Sequence, residues 1–285
     1  MTWRQPFIVI DQNQLRDPLA ITRLLADCHN NGLKMLLPDG AFLEFSKGGL
    51  PFETARRSLQ ILAPHRELVC SARKLTAMVQ DEFDRRSPCD TLVHERASEY
   101  LRSLLADLER GDESTLRKMI DGPIAKLMPA SLEVWNNHAE NKRIVTGLLD
   151  AIKSDMRADR LKALRQSPER GVSDWLSSAD GMRFVFQGLK ARGADDPTAL
   201  ELTRSPSVSA GFLSALAGVA VYWIAFGGID AVQANKLSGD LNDVEYIVVG
   251  ALAQSLATSD RRASVICRAV SDAFEARRLQ LLGSQ

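Results

Sequence analysis

Short apolar runs of the kind that form buried strands occur only near the two ends of this chain of 285 residues. Residues 7–10, 34–37 and 66–71 form three such runs near the N-terminus, and residues 256–258 form one near the C-terminus. Amphipathic helical patterns separate the N-terminal runs, and this alternation is typical of a parallel sheet with helices on its faces. We therefore predict an α/β fold whose sheet is assembled from segments distant in sequence.

The middle of the chain follows a helical period without strand patterns. The clearest apolar stripes are Leu101, Leu104, Leu105 and Leu108, then Ile144, Leu148, Leu149 and Ile152. We predict that residues 1–88 and 206–285 form the α/β core and that residues 89–205 form a mostly α-helical insert. Within the C-terminal part, residues 240–254 and residues 260–282 each show a helical pattern.

Residues 211–229 carry no charge over about the length at which a membrane helix becomes a candidate. If this segment crossed a bilayer, the apolar runs on its two sides could share one sheet only if a second span crossed back, and the sequence offers none. Gly218 also suits close packing between helices inside a protein. We predict that residues 211–229 form a buried helix packed on the sheet, and we predict no membrane partner and a cytoplasmic location.

Composition excludes several classes of site. Thirty-six basic residues balance thirty-six acidic ones, so a nucleic-acid partner would need a local patch. The four cysteines form no CxxC pair, which argues against a thiolate zinc site and a disulfide scaffold. The sequence also lacks the HExxH, GxSxG and GxxxxGK[ST] motifs of other catalytic schemes.

Four carboxylates lie at the edges of apolar elements: Asp11 and Asp260 follow predicted strands, and Glu44 and Asp243 come early in predicted helices. Because parallel strands present their carboxyl ends at one edge of a sheet, these residues can meet despite their distance in sequence. Asp243 also suits a helix cap. Asp240, one helical turn earlier, is an alternative to Asp243 as the residue that joins the other three carboxylates. Thr258 and Asn13 are either turn residues or hydrogen-bond donors to the carboxylates.

The stretches around these carboxylates resemble PIN-domain nucleases. Residues 8–13 (IVIDQN) are similar to the opening strand of that family, and residues 41–45 (AFLEF) are similar to its glutamate helix. Residues 242–260 are similar to the helix, short strand and Thr-x-Asp turn of its C-terminal half. The resemblance covers roughly residues 6–75 and 238–265, and the large helical insert departs from compact members.

The resemblance implies a PIN-like nuclease fold in which Asp11, Glu44, Asp243 and Asp260 hold one or two Mg²⁺ or Mn²⁺ ions. Hard carboxylate oxygens suit these cations, which can activate water and stabilise the leaving oxygen of a phosphodiester. The resemblance also implies an endonuclease that acts on RNA, with a toxin-like or defence role and a possible protein regulator. A structure-selective DNA nuclease and a non-catalytic PIN-like interaction protein remain the alternatives.

Overall fold

The structure of the chain, a computed structural model, describes residues 7–45, 50–228 and 234–282. The chain divides into two compact units, each built from segments that are discontinuous in sequence. The first comprises the described residues of Met1–Lys74, Thr91–Val134 and Ser255–Ser259, and the second those of Leu75–Asp90, Trp135–Gln254 and Asp260–Gln285. The boundaries of these units differ from the predicted limits of the insert, residues 88 and 205. The predicted three-part division of the chain stays a prediction.

The first unit contains a parallel sheet of four strands, in the order β3-β2-β1-β4. The strands are β1 (Phe7–Ile10), β2 (Lys34–Leu37), β3 (Val69–Ser71) and β4 (Leu256–Ala257). Val9 pairs with Leu36 on one side of β1 and with Leu256 on the other. Most side chains of β1, β2 and β3 are buried, as expected for parallel strands covered on both faces. The predicted α/β class with a parallel sheet is therefore confirmed.

Helices make up most of the rest of the described chain. In chain order they are α1 (Gln12–Leu15), α2 (Pro18–Asn31), α3 (Asp39–Phe45), α4 (Pro51–Gln60), α5 (Leu75–Arg85), α6 (Glu95–Glu109), α7 (Ser114–Met119), α8 (Ala125–Asn136), α9 (His138–Asp155), α10 (Ala158–Gln166), α11 (Pro168–Leu176), α12 (Ala179–Ala191), α13 (Asp196–Arg204), α14 (Val208–Ala225), α15 (Ala234–Asn242), α16 (Val244–Ala253) and α17 (Arg261–Leu282). A 3₁₀ helix spans Ala63–Leu68, and a π-helix spans Ile120–Ile124.

Local sequence signals explain how β1 leads into the next strand. Asp17 begins α2 by accepting hydrogen bonds from the backbone N–H groups of Leu19 and Ala20, at 2.9 and 3.2 Å. Gly32 ends that helix in the left-handed region, with φ of +63°, where a residue without Cβ is favoured. The chain then enters β2 beside β1. The third predicted strand is shorter than expected, since residues 66–68 belong to the 3₁₀ helix.

The regular elements of the second unit are all helices among its described residues, and α14 is its most buried long helix. By length and composition α14 is the one described helix that could cross a membrane, but 78% of it is buried inside the protein. It packs against α9, α11, α16 and α17. The predicted buried helix is confirmed as far as Ala225, whereas Phe226 and Gly227 are exposed and Ile229 lies outside the described residues. Its packing on the sheet stays a prediction.

The ionisable side chains of Glu82 and Arg277 are buried among the helices of the second unit. Glu82 of α5 is 0% exposed and accepts backbone N–H hydrogen bonds from Cys89, Val208 and Ser209, at 3.0, 2.7 and 2.7 Å. Burial raises the pKa of Glu82, and these N–H groups oppose that shift. Its carboxylate therefore ties α5 to the amino end of α14, where the helix dipole favours a negative charge.

Arg277 of α17 is also buried, with 1% of its surface exposed. Its Nη2 donates to the carbonyl oxygen of Leu176 and the hydroxyl of Ser214, both at 3.3 Å. Its Nε and Nη1 atoms have no hydrogen-bond partner in the described part of the chain. Burial lowers the pKa of Arg277 to about 10, so this charge is held in the core at a cost in stability.

Candidate functional site

Asp11 lies at the carboxyl end of β1, as the apolar run before it predicts, and only 6% of it is exposed. It is the N-cap of α1 and accepts hydrogen bonds from the backbone N–H and side-chain Nδ2 of Asn13, at 3.4 and 3.2 Å. The hydroxyl of Thr258 donates to its Oδ2 at 2.7 Å. Asn13 and Thr258 thus orient this carboxylate.

The contact between Asp11 and Thr258 follows from strand pairing. The backbone N–H of Asp11 donates to the carbonyl oxygen of Ala257 at 3.0 Å, which continues the β1–β4 ladder. The chain runs outward from β1 through β2 to β3, whereas β4 lies on the other side of β1. The order of the sheet therefore reverses between β1 and β4, and open α/β sheets place their sites at the carboxyl edge of such a reversal.

Glu44 lies in the second turn of α3, half-buried, and α3 packs against α1. The helices that begin at Asp11 and carry Glu44 are therefore neighbours within the first unit. The same edge of the sheet also holds an ion pair that the sequence analysis did not select. Asp39, after β2, lies 3.6 Å from the ammonium of Lys74, after β3. The signal that could have found Asp39 is its position two residues beyond an apolar run.

In the second unit, two carboxylates converge on the guanidinium of Arg262. Asp240 of α15 lies 2.8 Å from its Nη1, and Asp260 lies 3.1 Å from its Nη2. The indole Nε1 of Trp223 donates to the other oxygen of Asp240 at 2.7 Å. Asp260 is also the cap of α17, since its Oδ1 accepts from the N–H groups of Arg262 and Ala263, at 2.7 and 3.1 Å.

The pKa values of the two carboxylates shift in opposite directions. Burial raises the pKa of Asp240 to about 6, although Arg262 and Trp223 oppose the shift. Burial also acts on Asp260, but hydrogen bonds from Arg262 and from the N–H of Ala263 outweigh it and lower the pKa of Asp260. Burial acts to lower the pKa of Arg262, but Asp260, Asp240 and Asp243 together raise it. Arg262 is therefore the cation that balances this acidic cluster.

Asp243 immediately precedes α16, in the N-cap position, and within the described residues its side chain accepts no capping hydrogen bond from that helix. The helix predicted over residues 240–254 is in fact two helices that meet at Asp243. Of the four selected residues, Asp11 and Glu44 belong to the first unit, and Asp243 and Asp260 to the second. Among the described residues, no three His, Cys, Asp or Glu side chains form a group that could hold a metal ion. The convergence of the four carboxylates stays a prediction.

The carboxylate of Asp11 and the pair formed by Asp240 and Asp260 differ in how they fit a divalent cation. Asp11 fits one, because Thr258 and Asn13 fix its orientation as the partners of metal-binding carboxylates do. Asp240 and Asp260 do not fit one while Arg262 lies between them, because a guanidinium already supplies the positive charge. A metal there would have to displace Arg262. The spacing of the acidic residues in the sequence does not reveal that an arginine lies between them.

Comparison with known proteins leaves the family open. No family model, curated protein or solved structure matches the chain. The PIN-like interpretation therefore depends on the residues named above and on the position of Asp11 in the sheet.

Proposed function

We propose that this chain is a PIN-like, metal-dependent endonuclease that hydrolyses phosphodiester bonds, with RNA as the substrate. The observation that carries the proposal is the position of Asp11: a buried carboxylate at the carboxyl edge of a parallel sheet, where the strand order reverses, held by a threonine from β4. The N-terminal and C-terminal stretches that resemble PIN nucleases thus meet at β1 and β4.

In this proposal Asp11 and Glu44 are ligands of Mg²⁺ or Mn²⁺ at the carboxyl edge of the sheet. Asp243 and Asp260 belong to the second unit, where Arg262 pairs with Asp260, and their part in the ligand set stays a prediction. A divalent cation would supply an activated water and stabilise the leaving oxygen. Thr258 and Asn13 would keep the Asp11 carboxylate in one orientation, so that binding the cation costs little reorganisation. Toxin-like or defence activity, a cytoplasmic location and control by a protein regulator belong to the same proposal.

The test is cleavage of end-labelled RNA, single-stranded DNA and flapped DNA by the purified chain, with Mg²⁺, with Mn²⁺ and with chelator. Asp11→Asn keeps the shape of the side chain but removes the charge that holds a cation, so cleavage should fall by at least about 100-fold while the fold is kept. Asp17→Asn is the matched control, because Asp17 also caps a helix in the first unit but lies exposed. Equal activity of Asp11→Asn and wild type would refute the proposal, and preferential cleavage of flapped DNA would reassign the substrate.

A second candidate function is a non-catalytic interaction protein with the same fold. It is favoured by Arg262, which neutralises Asp240 and Asp260 without any metal. This candidate predicts no cleavage of any polymer and no increase in melting temperature with Mg²⁺, since a cation that binds the folded chain would stabilise it. Metal-dependent cleavage that is lost in Asp11→Asn would exclude it.

A further inference from the structure

A pocket of about 340 Å³ in the second unit combines aromatic and cationic side chains. It is lined by Tyr222, Trp223, Phe226, Lys236 and Arg262. The aromatic residues come from the last turn of α14 and the residue after it, the lysine from α15 and the arginine from α17. Its volume lies at the lower end of the roughly 300–1,000 Å³ typical of pockets for small ligands.

The aromatic rings of this pocket are fixed, yet one of them is open to solvent. Phe226 is 55% exposed and stacks on the buried Tyr222, with ring centroids 4.6 Å apart and an angle of 29° between the rings. Tyr222 in turn contacts Trp223 edge to face at 6.0 Å, and the indole of Trp223 is held by its hydrogen bond to Asp240. An exposed ring supported in this way offers a flat π-face with little freedom to lose on binding.

The cations of the pocket differ in mobility. Arg262 is held by Asp240 and Asp260, and its guanidinium carbon lies 5.8 Å from the centre of the Trp223 ring. Lys236 is exposed and contributes a long side chain with a mobile charge. Asp240 and Asp260 balance the charge of Arg262, so Lys236 is the lining residue that would attract an anion. The exposed phenyl face suits a flat ring better than a bare anion. The lining therefore fits a ligand with a planar ring and a negative charge.

We propose that this pocket binds one nucleotide of a single-stranded nucleic acid, with its base stacked on Phe226 and its phosphate near Lys236. This inference rests on the proposed function and identifies its substrate as an unpaired strand. Stacking accepts any base, because every base has a π-face, so the pocket would favour single strands without reading sequence. A base within a duplex is already stacked on its neighbours and cannot present that face.

The experiment measures binding in chelator, where metal-dependent cleavage is off, by fluorescence anisotropy of a labelled single-stranded oligonucleotide of about ten nucleotides, a length within the span of known single-strand sites. Because Phe226→Ala removes the ring on which a base would stack, it should weaken binding about 10-fold, whereas Phe226→Tyr keeps an aromatic ring and should leave binding unchanged. Leu279→Ala is the matched control, because Leu279 is an exposed apolar side chain of the same unit.

Lys236→Gln should weaken binding and reduce the slope of log K against log salt by about one, since one phosphate contact is lost. Competitors identify the source of the ligand. A mononucleotide that displaces the strand only at high concentration assigns the pocket to a strand, and one that binds as tightly as the strand assigns it to a free nucleotide. Displacement by inorganic phosphate at the same concentration as the mononucleotide, or equal affinity for blunt duplex, overturns the stacking proposal.

Folded Phe226→Ala and Lys236→Gln variants, checked by circular dichroism, that bind the strand as wild type does would also overturn it. The failure of the proposed function is distinguishable from this result. A chain that binds strands through Phe226 but never cuts them refutes the nuclease and keeps the pocket. A chain that cuts through Asp11 but is indifferent to Phe226→Ala refutes the pocket alone.

Discussion

The carboxyl group of Asp240 should make the stability of the chain fall as the pH rises. Asp240 is 4% exposed, and burial raises its pKa from 3.8 to about 6 even though Arg262 and Trp223 contact it. The folded state therefore favours the neutral carboxyl more than the unfolded state does. The stabilisation from this group is complete below the unfolded pKa and is lost as the pH rises through the folded pKa.

The size of the effect follows from the shift. A change from 3.8 to about 6 is roughly two pKa units, and at 1.36 kcal/mol per unit it corresponds to about 3 kcal/mol of unfolding free energy. Asp240→Asn cannot ionise and so lacks this dependence. The difference in unfolding free energy, wild type minus Asp240→Asn, should therefore fall by about 3 kcal/mol between about pH 3.5 and about pH 8.

Urea denaturation of both proteins across this range measures the difference directly, and the subtraction removes the contributions of all other titrating groups. Arg262→Met gives an independent arm. Because Arg262 opposes the rise in the pKa of Asp240, its removal should move the loss of stability to higher pH. A difference that instead grows with pH would refute the reasoning, since it would mean that the fold favours the ionised carboxylate. A difference that becomes flat when Mg²⁺ is added would assign a cation to Asp240.

Three further substitutions and one control substitution test the packing of the second unit. Glu82→Gln leaves at least one buried N–H donor at the start of α14 without an acceptor, so it should lower the free energy of unfolding by about 2 kcal/mol in urea denaturation at neutral pH; unchanged stability would contradict the role given to Glu82. Burial lowers the pKa of Arg277 from 12.5 to about 10, which corresponds to a cost of about 3 kcal/mol for keeping its charge in the core. Arg277→Met removes this cost and loses two hydrogen bonds, so it should raise the free energy of unfolding by about 1–2 kcal/mol. A lower melting temperature of that variant would show that the guanidinium is required. Gly218→Ala should cost about 1–3 kcal/mol, because a Cβ there would lie 2.6 Å from Cγ2 of Ile266, whereas Gly239→Ala, with open space around its Cβ, should be neutral or stabilising by up to about 1 kcal/mol.

The sheet could be predicted where local composition decides structure. The runs at residues 7–10 and 35–37 are apolar, short and mostly buried, and they end at Asp11 and Pro38, so their length and bounds favour strands. Residues 66–68 could not be assigned in this way, because the Ala63-Pro64 start of a 3₁₀ helix decides their conformation. The break at Asp243 was also missed, since Asn242 and Asp243 are compatible with both a helix interior and a helix boundary.

The candidate site was predictable in part. A carboxylate that directly follows a buried strand lies at the edge of the sheet, and Asp11 does so at the end of β1. The sequence left open whether Thr258 is a turn residue or a hydrogen-bond donor, and in the structure it donates to Asp11. The pairing of Arg262 with Asp240 and Asp260 could not be predicted, because it depends on how α15 and α17 pack and not on any local pattern. The spacing of acidic residues in the sequence does not distinguish a cluster that binds a metal from one whose charge an arginine neutralises.

The two-residue strand β4 has a consequence for synthesis of the chain. The backbone N–H groups of Val9 and Asp11 bond to the carbonyl oxygens of Ser255 and Ala257, both at 3.0 Å, so β1 has an open edge until those residues leave the ribosome. At a synthesis rate of about 5–20 residues per second, roughly ten to fifty seconds pass between the synthesis of β1 and that of β4. During that interval the apolar β1 is an unpaired edge strand, which is a template for aggregation. We expect nascent chains that stall before residue 255 to need a holding chaperone, and completed chains to be released from it.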